Sequence, residues 1–266
     1  MWVLRSTSRL ATPLARHNHT LVPPTGDTPS IFAHLKPDRI APATSYISWD
    51  TKTPVKLRYD PNGVSPHNSP PILVQSMFED SAVRYAEQVA IGYKDDAGKW
   101  VRWRYGEYLE DIQAVAKGFL ALGLGRHRAV GIMGHNSPMW ALSSVGAIFA
   151  GGLTCGIYAT NSNEAVRHIA ANAPCDILVL QDAVLMERIM EGKSDFKELM
   201  PTLKAIVLME GNSDLSNVLS FEDLLTLGRG QTPTLIQDSL ATNPPVVNEA
   251  AGLIYTSGTT GPPKGT

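Results

Sequence analysis

The chain has 266 residues, 43% of them hydrophobic and 18% charged, with 23 Lys and Arg against 25 Asp and Glu. That length can bury a large core in one or two domains, and a formal net charge of -2 gives no basic surface for a nucleic-acid partner. Cys155 and Cys175 have no metal-ligand spacing and read as small buried residues of a reducing compartment, not as a disulfide.

Residues 1–20 carry Arg5, Arg9 and Arg16, with no acid before Asp27. Together with Trp2, Leu4, Leu10 and Leu14 they can form a weak basic amphipathic helix of mitochondrial-targeting type. The plainer reading is a tail that Pro13 and Pro23-Pro24 help to end. The absence of a continuous apolar run there argues against a secretory signal. Up to residue 70 the chain is rich in Pro, Thr, Ser and Asn, so 1–70 is expected to be an irregular N-terminal segment.

Periodicity begins at Ile72. A helix is expected from Leu73 to Ala86, then a strand from Val89 to Tyr93, an Asp95-Asp96-Ala97-Gly98 turn, and a strand from Trp100 to Arg104. Tyr105 to Leu122 reads as a helix, with Tyr108, Ile112, Val115 and Phe119 as one apolar stripe. Val130 to Met133 is a strand. Ser137 then caps a helix over Met139 to Ala150 with Pro138 in its first turn. Strands follow at Leu153 to Tyr158, Ile177 to Leu180, Ala205 to Met209 and Gly252 to Tyr255. Helices are expected from Asn163 to Asn172, in a region reaching Met200, and from Phe221 to Leu227. The mixed-charge run from Glu187 to Glu198 reads as a solvated helical face.

From Ala129 to Asn163 no residue is charged unless His135 is protonated, and the apolar run Met139 to Tyr158 is long enough to span a bilayer. The Gly151-Gly152 pair divides it into a buried helix and a buried strand, so no transmembrane segment is expected. Strands alternating with helices predict an α/β fold: a mostly parallel sheet with helices on both faces and right-handed connections. In such sheets ligands collect at the carboxyl ends of strands, where the final loop falls.

That loop, Thr256-Ser257-Gly258-Thr259-Thr260-Gly261-Pro262-Pro263-Lys264-Gly265, has the chemistry of a phosphate cradle. Glycines let backbone amides turn toward an anion, the hydroxyls donate hydrogen bonds, and Lys264 brings a mobile positive charge. A Walker A register fails twice: Pro263 stands where glycine is needed, and Gly265 follows the lysine in place of Ser or Thr.

The run Tyr255 to Gly265 resembles the Y-T-S-G-T-T-G-x-P-K-G signature of the AMP-forming acyl-adenylate synthetases. Val130 to Trp140, Ala147 to Gly152 and Gly156 to Ser162 resemble the bubblegum-type long-chain acyl-CoA synthetases, with Met139 where that subgroup has an acid. The likeness runs from about residue 72 to 265. It implies ATP, Mg2+ and coenzyme A as reaction partners of a long-chain fatty acid, and an acyl-adenylate intermediate. By the same resemblance Thr256, Ser257, Gly258, Thr259, Thr260, Gly261 and Lys264 bind the phosphates. It assigns no catalytic or metal-binding residue to this chain.

Residues 71–266 then correspond to the N-terminal portion of a synthetase domain. The adenine pocket, ribose aspartate, acidic motif and small C-terminal domain belong to the part beyond Thr266. The resemblance also implies a cytoplasmic location with peripheral contact at the endoplasmic reticulum membrane. The alternative from another class is a catalytically inactive fragment acting as a binding or assembly module. His127, His135 and His168 lie in separate elements and read as structural or surface residues.

Overall fold

The computed structural model describes residues 34–57, 70–95, 97–256 and 262–266; the expected targeting helix and most of the turn-rich run before Ile72 lie outside the described residues. Helix α1 (Val74–Arg84) leads into β1 (Val89–Lys94) and β2 (Trp100–Arg104), a separate antiparallel hairpin. Period two decides its faces. Trp103 turns inward, stacks on Tyr93 with ring centroids 6.0 Å apart and donates its indole N–H to Asp111 at 3.0 Å. Trp100 stays exposed between the cations of Lys94 and Arg102.

The chain continues through α2 (Tyr105–Ala121), β3 (Ala129–Met133), α3 (Pro138–Phe149), β4 (Leu153–Ile157), α4 (Asn163–Asn172), β5 (Cys175–Leu180) and α5 (Ala183–Met190). It ends through β6 (Ala205–Leu208), β7 (Val218–Ser220), α6 (Phe221–Arg229), α7 (Leu235–Leu240), β8 (Gly252–Thr256) and β9 (Lys264–Gly265). The main sheet has seven strands in the order β7-β6-β5-β3-β4-β8-β9, parallel except for β9, which runs antiparallel to β8.

Every residue of β3 is buried, as expected for a strand covered on both faces. Ala129 and Met133 enter the core beneath α4 and α5, while Val130 and Ile132 enter the core beneath α2, α3 and α6. The path β3 to β4 carries α3 on one face; the path from β4 back past β3 to β5 carries α4 on the other, as a constant crossover hand requires. The expected α/β class, with helices on both faces, is what forms. The stripe Tyr108, Ile112, Val115 and Phe119 is buried throughout.

The uncharged stretch is divided as its glycines suggest. Gly151 adopts φ 76° between α3 and β4, a left-handed conformation that suits glycine. Among the described residues no helix is long and apolar enough to cross a membrane. Ser137 caps α3, its Oγ accepting the Trp140 amide at 3.1 Å. Ser137→Ala is therefore expected to cost about 1 kcal/mol, read as a lower urea midpoint.

One expectation is corrected here. The charged run after α5 is not a single helical face: α5 stops at Met190, Glu191 and Gly192 take φ 51° and 77°, and only a 3-10 turn follows at Phe196–Glu198. Two consecutive left-handed residues end a helix whatever the propensity of those that follow.

The amino edge of the sheet is held by buried polar groups. Asp176 is 1% exposed. It accepts Arg128 at 2.8 Å, Lys204 at 3.1 Å and the Gly125 amide at 2.9 Å. Asn248, also buried, bonds the backbone of Ala41 and Val55 at 2.9 Å and so ties the segment 39–56 to the core. Arg126 and His127 both reach Glu249, at 2.6 and 3.1 Å. Deeper in, Cys155 of β4 and Cys175 of β5 are free and buried on either side of β3. A Cβ on Gly131 would lie 2.5 Å from the Leu178 side chain and 3.3 Å from the Cys175 sulfur. Contact with the Cys155 sulfur, which favours the protonated form, and burial hold the Cys175 thiol well above its ordinary pKa.

Candidate functional site

Strand β8 lies beside β4, pairing Thr154 with Gly252 and Gly156 with Ile254. Its apolar residues follow from that place: Tyr255 is buried against the α4 side of the sheet, while Thr256 leaves the sheet exposed. The chain then returns as β9. Tyr255 pairs with Gly265 and Thr256 with Lys264, and the amides of Ile254 and Thr266 exchange hydrogen bonds of 2.9 Å. Thr256 and Lys264 thus stand as cross-strand neighbours at the two ends of the loop. Ser257, Gly258, Thr259, Thr260 and Gly261 lie outside the described residues.

Tyr255 is the floor of this return. Its hydroxyl donates to Asn172 Oδ1 at 2.6 Å. Burial, with the Cys155 and Cys175 thiols nearby, pushes its pKa up to about 12, so the phenol stays neutral at any physiological pH. Its ring also explains the glycine that closes the motif. A Cβ on Gly265 would lie 2.8 Å from the Tyr255 ring and 3.0 Å from its hydroxyl, inside contact distance. Tyr255 and Gly265 are a fitted pair: the backbone of β9 passes where only a residue without a side chain clears the ring.

From the same side, His168 of α4 donates through Nε2 to the Pro263 carbonyl at 3.0 Å. Ser162 caps this helix by accepting the Ala165 amide at 3.2 Å, and Val166, Ile169 and Ala170 bury its other face. The reading of His168 as structural or surface gave no hint of this contact, nor of that between Asn172 and Tyr255. The one signal available was their i, i+4 spacing on the less apolar face of an amphipathic helix. His127 and His135 stay apart from this contact. His127 is buried against Glu249, and the His135 amide bonds Gln181 Oε1 at 2.8 Å. Among the described residues no group of three or more His, Cys, Asp or Glu is arranged to hold a metal ion.

On the α3 side of β8 an open cleft of about 610 Å³ runs along the carboxyl ends of β3, β4 and β8. Trp140, Tyr158 and Ile254 give it apolar walls, and Asn136 and Thr154 add polar groups. Its position is the one at which parallel sheets bind ligands. A cation-bearing return and a mostly apolar cleft therefore share β8.

Residues 78–266 match the AMP-binding enzyme family, and the chain belongs to it. Among curated proteins it is 35% identical over 213 residues to the long-chain-fatty-acid–CoA ligase ACSBG2 of Xenopus laevis, covering 79% of this chain and 28% of that one. It is 38% identical over 197 residues to ACSBG1 of Rattus norvegicus, also a long-chain-fatty-acid–CoA ligase, covering 73% and 26%. With human ACSBG1 the identity is 36% over 221 residues, covering 82% and 29%. The chain thus spans less than a third of the length of these relatives. Their names agree with the subgroup resemblance carried by Val130 to Trp140.

Solved structures agree on the fold. Apo MbtA of Mycobacterium smegmatis aligns with a TM-score of 0.58 at 19% identity, covering 73% of this chain and 33% of that one. The anthranilate CoA ligase AuaEII in complex with anthranoyl-AMP aligns with a TM-score of 0.57 at 21% identity, covering 73% and 34%.

Proposed function

We propose that this chain supplies the phosphate-gripping part of an ATP-dependent long-chain fatty-acid–CoA ligase. In that reaction a carboxylate attacks the α-phosphorus of ATP and the bond to pyrophosphate breaks, leaving an acyl-adenylate. The thiol of coenzyme A then displaces AMP. The observation that carries the reading is the cross-strand placement of Thr256 and Lys264 at the ends of a loop rich in glycine and hydroxyl groups, beside an apolar-walled cleft.

Ser257, Thr259 and Thr260 add hydroxyl donors, and Gly258 and Gly261 free the backbone amides to turn toward the anion. Lys264 contributes most when negative charge grows on the departing pyrophosphate, because an interaction that strengthens toward the transition state lowers the barrier. The walls formed by Trp140, Tyr158 and Ile254 suit the chain of a fatty acid. Mg2+ would enter with the nucleotide. Since the chain spans less than a third of its relatives, the share its own residues support is phosphate binding, and the rest of the reaction is proposed for the whole ligase.

Calorimetric titration with Mg-ATP and with inorganic pyrophosphate tests this share. Both are expected to bind, and Lys264→Ala is expected to weaken both by about ten- to a hundredfold at unchanged melting temperature, the worth of one charge-assisted contact. No binding by the unaltered chain, or equal affinity in Lys264→Ala, would sink the reading.

A further inference from the structure

Helix α4 touches the phosphate loop at both of its ends. Asn172 holds Tyr255, one residue before Thr256, at 2.6 Å. His168 holds Pro263, one residue before Lys264, at 3.0 Å. The two side chains are i and i+4, so they stand about 6 Å apart along the helix, a little over one turn. Adjacent strands stand about 4.8 Å apart. A single helix face therefore reaches both strands of the return at once.

We infer that His168 is a positioning residue: together with Asn172 it sets the separation of Thr256 and Lys264, and so fits the loop to its anion. The inference rests on the phosphate-site reading given above. Strand β9 is only Lys264–Gly265, held to β8 by few ladder bonds. It needs a further anchor to keep Lys264 in register. The His168 bond to the Pro263 carbonyl supplies the missing restraint from outside the sheet. It acts on the backbone, where glutamine can replace histidine as the donor.

The test compares His168→Ala and His168→Gln with the unaltered chain and with Lys264→Ala. Three quantities are read: inorganic pyrophosphate affinity, melting temperature, and hydrogen exchange at the Ile254 and Thr266 amides. His168→Ala is expected to weaken pyrophosphate binding about fivefold. It should also speed exchange at Thr266, with the melting temperature unchanged. His168→Gln should restore both. If His168→Ala binds pyrophosphate as tightly as the unaltered chain, or His168→Gln fails to rescue it, the positioning role is wrong. Should Lys264→Ala lose affinity while His168→Ala does not, the clamp fails and the phosphate site stands. If no variant and no unaltered chain binds pyrophosphate, the phosphate reading fails. Exchange at Thr266 then decides the clamp: faster exchange in His168→Ala, rescued by His168→Gln, supports it, and equal rates overturn it.

Discussion

Gly228→Ala is expected to destabilise the chain by about 3 kcal/mol or more, seen as a large fall in the urea midpoint. The reason is the closeness of α2 and α6. A Cβ on Gly228 would overlap the Ala114 carbonyl oxygen and lie 2.9 Å from the Gly118 amide nitrogen. Both are helix backbone atoms, which cannot turn aside as a side-chain end can. Gly118 makes the reciprocal approach: its Cβ would sit 2.7 Å from the Leu224 carbonyl oxygen. Two glycines thus let two helices meet backbone to backbone. Gly230→Ala is the control. It lies two residues further on, with φ -74°, and an added Cβ there meets nothing closer than 3.5 Å. It should be neutral or raise stability by about 0.5 kcal/mol through the unfolded state. Equal effects of the two substitutions would show that helix propensity, and not the close approach, governs the site.

Asp176→Ala is expected to cost about 3 kcal/mol, because one buried carboxylate satisfies two cations and an amide. The loss should carry a pH signature. Burial pushes the Asp176 carboxyl up, but the hydrogen bonds from Arg128, Gly125 and Lys204 outweigh it and hold the folded pKa below 3.8. A depressed folded pKa means stability that is fully present above the unfolded value and lost as pH falls through the folded one. The gap between the unaltered chain and Asp176→Asn in urea stability should therefore be constant near neutrality and narrow in acid, below about pH 4. A gap that does not change with pH would show that Asp176 acts by shape and not by charge. The network lies at the amino edge of the sheet, opposite the loop, so pyrophosphate affinity should not change.

Where local pattern decides structure, the sequence was readable. The stripe of α2, the Ser137 cap and the division of the uncharged stretch at Gly151 depend on residues within a few positions of each other, and all three formed. Short elements were not readable. Val218–Ser220 becomes a strand by lying beside Ile206 to Leu208, and Leu235–Leu240 is too short to show a period. Lys264 and Gly265 read as loop and form a strand because β8 offers an open edge to pair with.

The site divides in the same way. Thr256 and Lys264 were marked by their chemistry and by the motif around them. His168 and Asn172 were not, since each meets its partner across more than eighty residues of chain. Tyr255 and Gly265 stood in the motif as letters; their fit through space supplies the reason for both.

The two cysteines have a consequence for oxidation. Strand β3 lies between β4 and β5, so their Cα atoms are separated by at least two strand spacings, about 9.6 Å. A disulfide needs Cα atoms within about 6.8 Å. The folded backbone therefore keeps the two sulfurs from being joined. Buried and barred from each other, the thiols become reactive only when strands part. Their rate of alkylation is in effect a clock for the opening of the central sheet.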